Sequence, residues 1–235
     1  MRKADGPRGT QPRGLFYLGG LCHSEKMKTV PTLEFEEALA ARGHLYIVGV
    51  DEVGRGPWAG PVVACAVRLH GPAPAGLNDS KKLTAKRREA LVPLIEQVAD
   101  IGYGEASVEE IDEINIRQAT HLAMRRAINA LPQVPDYLLI DGHDLPRGLP
   151  CPAQTIIQGD GKCLSIAAAS VLAKTRRDWG MVALAQQYPG YEWEKNAGYG
   201  TAAHRAGLQS LGVTPHHRRS FKPIHNMLYS ASPRK

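Results

Sequence analysis

The last 41 residues contain no acidic side chain: after Glu194 the chain has neither Asp nor Glu. Seven Lys/Arg remain there (Lys195, Arg205, Arg218, Arg219, Lys222, Arg234 and Lys235), so this segment carries +7 while residues 1–194 sum to −1. Such asymmetry points to a polyanionic partner for the C-terminal part, the plain alternative being a solvated basic tail. No apolar run approaches the roughly 20 residues that a membrane helix requires. The basic N-terminus lacks the continuous apolar stretch of a secretory signal, so a cytoplasmic protein with no membrane partner is expected. Cysteine is scarce: Cys22, Cys65, Cys151 and Cys163 are scattered, and no pair has metal-ligand spacing. A disulfide framework or a cysteine zinc site is thereby disfavoured, and Cys65 reads as a buried thiol in a reduced compartment.

What is present is ordinary in bulk: 43% hydrophobic and 22% charged residues over 235 positions, enough for a sizeable core. Residues 1–30 are rich in Gly, Pro, Arg and Lys without a helical or strand period and read as a disordered extension, with Met27 an alternative start. A short helix is expected over Leu33–Arg42. Leu45–Glu52 and Val62–Leu69 read as two strands of a hairpin around a glycine turn. Thr84 is a plausible N-cap of a helix reaching about Ala99, in which Pro93 should mark a kink or break. A third strand is expected over Ile101–Val108. Helical pattern follows over Glu109–Leu131, with a break near Asn115. Asp136–Gly142 and Gln154–Gly161 each read as a strand ending in an acid and a glycine. A long alanine-rich helix spans Lys162 to about Gln187, its small side chains allowing close approach to the sheet. A last helix runs from about Thr201 to Leu211.

Three acid sites therefore stand at three strand ends: Asp51/Glu52, Asp141 and Asp160. Ligands of open α/β sheets bind at strand carboxyl ends. Four carboxylates brought together raise one another's pKa, and a hard divalent cation resolves the conflict. All-oxygen ligation points to magnesium or manganese rather than zinc. Paired ions at such a site are a standard solution for phosphodiester hydrolysis. Asp141-Gly142 and Asp160-Gly161 can also be simple turns. Asp51 and Glu52 face opposite sides of an ideal strand, so the strand must end or twist at Glu52 for both to reach one site. Asp178, among Lys174, Arg176 and Arg177, reads as one half of a structural ion pair.

Gly54-x-Gly56-x-x-Ala59 nominally matches a dinucleotide fingerprint, but that motif opens a helix and here a strand follows. What remains is a bare backbone turn beside Arg55, able to approach a nucleic-acid strand and to sense a 2′-hydroxyl.

Several stretches carry a family resemblance. Asp51-Glu52-Val53-Gly54-Arg55-Gly56, Asn78-Asp79-Ser80-Lys81-Lys82-Leu83, Leu139-Ile140-Asp141-Gly142, Gly159-Asp160, Ala167–Lys174 and His216–Phe221 resemble ribonuclease HII, in one order from about Leu45 to Ile224. The resemblance implies an α/β, ribonuclease H-like fold: a central mixed sheet flanked by helices, with a small helical C-terminal part. The expected layout is a basic extension (1–43), a catalytic domain (44–187), a small basic helical part (188–230) and a tail (231–235). It implies cleavage of the RNA strand of RNA/DNA hybrids and incision at ribonucleotides embedded in duplex DNA, by a monomer. Asp51, Glu52, Asp141 and Asp160 would be catalytic ligands of two Mg2+ or Mn2+ ions, with Asp51 bridging. Gly54, Arg55 and Gly56 would recognise the 2′-hydroxyl, Tyr199 the junction sugar, and Lys82 with the basic C-terminal part the phosphates. Asn196-Ala197 departs from relatives that carry a lysine before the glycine. Competing readings are a related two-metal DNA nuclease, a non-catalytic nucleic-acid-binding module, and a zinc protein built on His216 and His217.

Overall fold

A computed structural model describes residues 30–229 together with Met1. The expected disordered extension, the start at Met27 and the tail from 231 therefore lie outside the described residues, apart from Met1 and Val30.

The hairpin sets the frame. β1 (Ile47–Val53) pairs antiparallel with β2 (Val62–Leu69), with Asp51 opposite Cys65 and Glu52 opposite Ala64. β3 (Ala99–Ala106) adds antiparallel to β2. On the other side of β1, β4 (Tyr137–Asp141) and then β5 (Ala153–Ile156) add in parallel. The order β3-β2-β1-β4-β5 makes a mixed sheet. The β1 run is buried from Ile47 to Asp51, as expected of a central strand covered on both faces.

Helices supply the covers. α1 (Glu34–Ala40) precedes the hairpin, and α2 (Ala85–Glu96) follows Thr84, whose hydroxyl accepts from the Arg87 N–H. α3 (Val108–Asn129) starts on a capping box between Ser107 and Glu110. It breaks at Asn115 (φ 66°), whose side chain accepts from the Arg117 and Gln118 N–H groups and so caps the second half. α4 (Leu164–Gln187) is the long alanine-rich helix. On one sheet face Val48, Val50, Ala64 and Ile140 meet Ile111, Ala119, Ala123 and Ala127 of α3. On the other, Cys65 and Val67 meet Leu91 and Ile95 of α2 and Ala168 and Leu172 of α4. Small residues set the closeness of approach. A β-carbon at Gly49 would run into the Ser165–Ile166 backbone of α4, and one at Gly104 into the Ala123 carbonyl. Each fully buried Leu or Ile here is worth ~1.5–3 kcal/mol, which offsets the burden of charged groups held at the strand ends.

Three details differ from the sequence expectations. α2 runs unbroken through Pro93 and stops at Glu96; Ala99 already belongs to β3. Pro93 removes the N–H that would bond the Glu89 carbonyl, and both residues are exposed, on the face of α2 open to solvent. Asp160 is not on a strand end: β5 stops at Ile156, and after a left-handed Gln158 the acid sits in a 3-10 turn at Gly159–Gly161. The C-terminal part holds two helices that the hydrophobic pattern did not show, α5 (Trp193–Asn196) and α7 (Lys222–Tyr229), besides α6 (Ala202–Leu211).

The C-terminal part closes over the turn of the hairpin. Ala59 shares a core with Met181, Tyr191, Trp193, Leu208 and Ile224. The Trp58 N–H donates to the Gly198 carbonyl, the Gly60 N–H to that of His216, and the Arg218 N–H to that of Trp58.

Candidate active site

The register decides which acids meet. β1 and β4 are parallel, with Val50 beside Ile140, so the next residues along, Asp51 and Asp141, end up side by side at the carboxyl edge. Gly49, two residues before Asp51, faces α4, and so Asp51 points to the α4 side. Glu52 points to the other face, where it lines a cleft with Asp141. β1 continues through Val53, so the strand neither ends at Glu52 nor has to. Both acids reach Asp141 because it lies at the last residue of its strand, open to both faces. Asp160 arrives from the 3-10 turn, which Asp141 itself anchors: its Oδ1 accepts from the Gly159 N–H at 2.6 Å.

Electrostatics shows the strain of this gathering. Asp51 is buried (6% exposed). Burial first, and then the charges of Glu52, Asp141 and Asp160, push its carboxyl well above the usual range; the Ser170 hydroxyl pulls the other way. That hydroxyl is held by Ser80 at 2.9 Å. Burial also raises Glu52, against the Arg55 guanidinium 3.3 Å away. Asp160 is pushed up to about 6 by burial and by the charges of Asp79 and Asp141. Among the described residues, no three Asp, Glu, His or Cys side chains close into a ready metal-binding group. The four acids thus share one edge and feel one another's charge without forming a closed cage, since mutual repulsion opposes closure by carboxylates alone. The donor set is all oxygen, and among the described residues Asp51 forms no ion pair. Hard divalent ions suit such a set.

Two residues near the acids were not singled out from the sequence. The charge of Asp79 helps to raise the Asp160 carboxyl, and its side chain caps the turn at Ser80–Lys82 by accepting from the Lys81 N–H. Burial alone would lower the Lys81 ammonium, but Asp160, Asp51, Asp79 and Asp141 hold it above its ordinary value. Lys81 and Lys82 are both exposed and line one cleft with Asp79, Asp141 and Asp160; the Lys82 ammonium stands 4.0 Å from Asp79 and beside Gly161. The Asn78–Leu83 stretch carried this signal.

Asp141 separates two clefts. One, of about 460 Å³, is lined by Glu52, Arg55, Arg117, His121 and His143 among others. The second, of about 420 Å³, is lined by Asp79, Lys81, Lys82, Asp160 and Lys162 among others. Cations therefore flank the acids on both sides, a track suited to a phosphate backbone.

The glycine turn borders the acids. Gly54 has φ +96°, and a β-carbon there would strike the Arg177 side chain and the Pro61 carbonyl, so only glycine fits. Arg55 and Gly56 are exposed, and a β-carbon on Gly56 would stand 3.3 Å from the ring of Tyr199. The structure thus brings Gly54, Arg55, Gly56 and Tyr199 together.

Two histidines of the C-terminal part, His204 and His217, are fully buried in one hydrogen-bonded network. His217 Nδ1 accepts from the Thr214 N–H, so its Nε2 carries the proton and meets His204 Nε2 at 3.0 Å. His204 Nε2 also accepts from the Trp193 indole, and its Nδ1 donates to the Tyr199 carbonyl. Burial, with the charges of His204 and His216, lowers His217 to about 3. Both ring nitrogens of His217 are taken up by Thr214 and His204, and among the described residues no three His, Cys, Asp or Glu side chains gather into a metal-binding group, so the zinc reading based on His216 and His217 finds no support. Asp178 is an ion-pair partner as expected, to Lys174 at 2.6 Å and Arg88 at 3.0 Å. Cys65 is fully buried and free.

A mixed sheet in this order, with clustered acids at the carboxyl edge and cationic clefts on either side, defines a nuclease of the ribonuclease H-like class. Residues 48–224 match the family model described as Ribonuclease HII. The chain is 61% identical over 209 residues to a ribonuclease HII of Ruegeria pomeroyi, covering 88% of this chain and 89% of that one. It is 60% identical over 202 residues to one of Cereibacter sphaeroides, covering 86% and 95%. The chain belongs to the ribonuclease HII family, and is a metal-dependent endoribonuclease acting on RNA/DNA hybrids. Solved structures agree in fold. The ribonuclease H2 of Pyrococcus horikoshii superposes with a TM-score of 0.66 at 24% identity, covering 78% of this chain and 97% of that one. A Bst RNase HIII in complex with Mn2+ gives 0.61 at 20%, covering 84% and 74%. No helix among the described residues is long and apolar enough to cross a membrane.

Proposed function

We propose that this nuclease incises duplex DNA on the 5′ side of embedded ribonucleotides, besides cutting the RNA strand of hybrids, and leaves a 5′-phosphate and a 3′-hydroxyl. The observation that carries this reading is the exposed glycine turn standing beside the buried acids. Asp51, Glu52, Asp141 and Asp160 would hold two Mg2+ or Mn2+ ions, with Asp51 the shared ligand. Such a pair, when bound, supplies charge that activates a water and steadies the leaving 3′-oxygen.

The chain's own residues do the rest. The backbone of Gly54, Arg55 and Gly56 meets the 2′-hydroxyl, which is both donor and acceptor and is what separates RNA from DNA. Tyr199, beside Gly56, packs on the sugar at the junction. Lys81, Lys82 and the cations of the two clefts take phosphates and set the strand's direction across Asp141. The 2′-hydroxyl serves recognition and is not the nucleophile. We further infer a cytoplasmic monomer with its catalytic domain over 44–187 and a basic helical part over 188–230.

The test is a cleavage assay on a duplex with one ribonucleotide against the same duplex in all-DNA form, with magnesium, manganese and chelator compared. The reading expects cleavage of the first alone, lost in chelator. Equal cleavage of both duplexes, or cleavage in chelator, would sink it. Affinity for either duplex should fall as salt rises, because neutralised phosphates release counterions.

A further inference from the structure

Two buried guanidinium groups bracket the glycine turn. Arg218 is fully buried and Arg177 is 2% exposed. Neither forms an ion pair with a carboxylate among the described residues; both are held by backbone carbonyls. Arg218 donates from Nε and Nη2 to Gly60 at 2.9 and 2.7 Å, from Nη1 to Arg55 at 3.0 Å, and from Nη2 to Gly54 and Pro61. Arg177 donates to Pro61 at 2.9 Å, Ala197 at 2.9 Å and Ala59 at 3.1 Å. Five carbonyls of the Gly54–Pro61 turn thus point inward onto two planar forks. Burying an unpaired cation is costly, and an arrangement that keeps two of them calls for a return.

The return follows from peptide geometry. The peptide bonds are trans, so the C=O and N–H of one peptide plane point opposite ways. With the Gly54 carbonyl drawn inward, the Arg55 N–H faces outward. With the Arg55 carbonyl drawn inward, the Gly56 N–H faces outward too. Among the described residues neither amide donates to a protein acceptor, and both residues are exposed. The Gly56 α-carbon borders Tyr199, for a β-carbon built there would stand 3.3 Å from the ring.

We propose that Arg218 and Arg177 are positioning residues for ribose recognition: they hold the turn so that the Arg55 and Gly56 amides project as a fixed donor pair toward the 2′-oxygen. This rests on the reading of the chain as a ribonucleotide-incising nuclease. A lysine cannot replace either arginine, because an ammonium on a flexible stem does not reach the same set of carbonyls.

The test joins kinetics to amide hydrogen exchange on the full chain. In the wild type, the Arg55 and Gly56 amides should exchange fast. A duplex with one ribonucleotide, added in chelator, should protect them, and an all-DNA duplex should not. Arg218→Lys and Arg177→Lys should lose that protection and lower kcat/KM on the ribonucleotide duplex by about 10- to 100-fold, the scale of a roughly 1 Å misplacement. Affinity for the all-DNA duplex, and for Mn2+ alone, should stay within a few-fold of wild type. Wild-type amides that the ribonucleotide duplex leaves unprotected overturn the inference, and this arm needs no variant to fold. A folded variant that keeps both protection and kcat/KM overturns it as well. So does one that loses both duplex affinities equally, the mark of a merely structural role. A wild type that cuts the all-DNA duplex equally well fails the functional reading itself; one that discriminates while the variants do so too fails only the positioning role.

Discussion

The acid edge and the arginine bracket both bury charge, and they treat it in opposite ways. At the carboxyl edge, Asp51 is surrounded by Glu52, Asp141 and Asp160, so like charges raise its pKa on top of burial. Around the glycine turn, Arg218 and Arg177 are surrounded by carbonyl dipoles, and burial lowers them to about 9 and about 10, still cationic at neutral pH. One region is left electrostatically frustrated and the other is satisfied by hydrogen bonds. Frustration suits a site that must take up cations and let substrate in. Satisfaction suits a frame that must not move.

The largest test of this contrast is Asp141→Asn. It keeps the shape and removes a charge from the frustrated side. Turnover on the ribonucleotide duplex should fall by more than about 100-fold, since even groups outside the ligand shell of a metal site cost roughly 10- to 100-fold. Duplex binding in chelator should survive. Turnover restored by saturating magnesium would count against the assignment, and steady-state kinetics across a magnesium series decides it.

The next test removes charge from each side and reads stability by denaturant unfolding in chelator. Arg177→Met leaves the carbonyls of Ala59, Pro61 and Ala197 without this donor, and should cost ~3 kcal/mol at about 1–3 kcal/mol for each buried unsatisfied group. Asp51→Asn should instead stabilise the protein at pH 7, because it removes a buried charge among like charges. Opposite signs are the expected result; two destabilisations would erase the contrast.

A third test uses pH. His217 is held at about 3, below the roughly 6.5 of an unfolded histidine. Its folded pKa is depressed, so the unfolded chain binds the proton first. The stability it contributes is therefore complete above pH 6.5 and is lost as pH falls toward 3, at about 1.4 kcal/mol per pH unit for one proton. His217→Gln should flatten that slope in urea midpoints measured between pH 4 and 7.

The smallest effect belongs to the partly buried pair on α4. Lys174→Ala should cost ~0.5 kcal/mol, the usual worth of a pair at i, i+4, because Arg88 still holds Asp178 at 3.0 Å. A loss several times larger in thermal unfolding would mean that Asp178 belongs with the arginine bracket and not with the surface.

Much of this was legible in the chain itself. Apolar runs of the right length gave β1, β2 and β4, and the cap at Thr84 stands before its helix where backbone donors need it. The break at Asn115 and the buried Cys65 follow from the same local rules. Asp160 was harder: its strand stops short, and a left-handed Gln158 carries the chain into the turn that presents it. α7 was missed because Pro223 stands in its first turn, where proline is tolerated, yet it reads locally as a breaker.

The order of residues alone marked the hairpin strands, β4, the longer helices, the acids and the bare glycine turn, because each rests on spacing and side-chain chemistry within a few residues. Tertiary structure alone decided that Asp51 and Asp141 are neighbours, that Lys81 and Lys82 share one cleft with Asp79, Asp141 and Asp160, and that Arg218 is buried among the carbonyls of the glycine turn. Those outcomes depend on strand register and on which carbonyls a folded turn leaves within reach. Neither is a property of any short stretch; both arise when segments far apart along the chain are packed against one another.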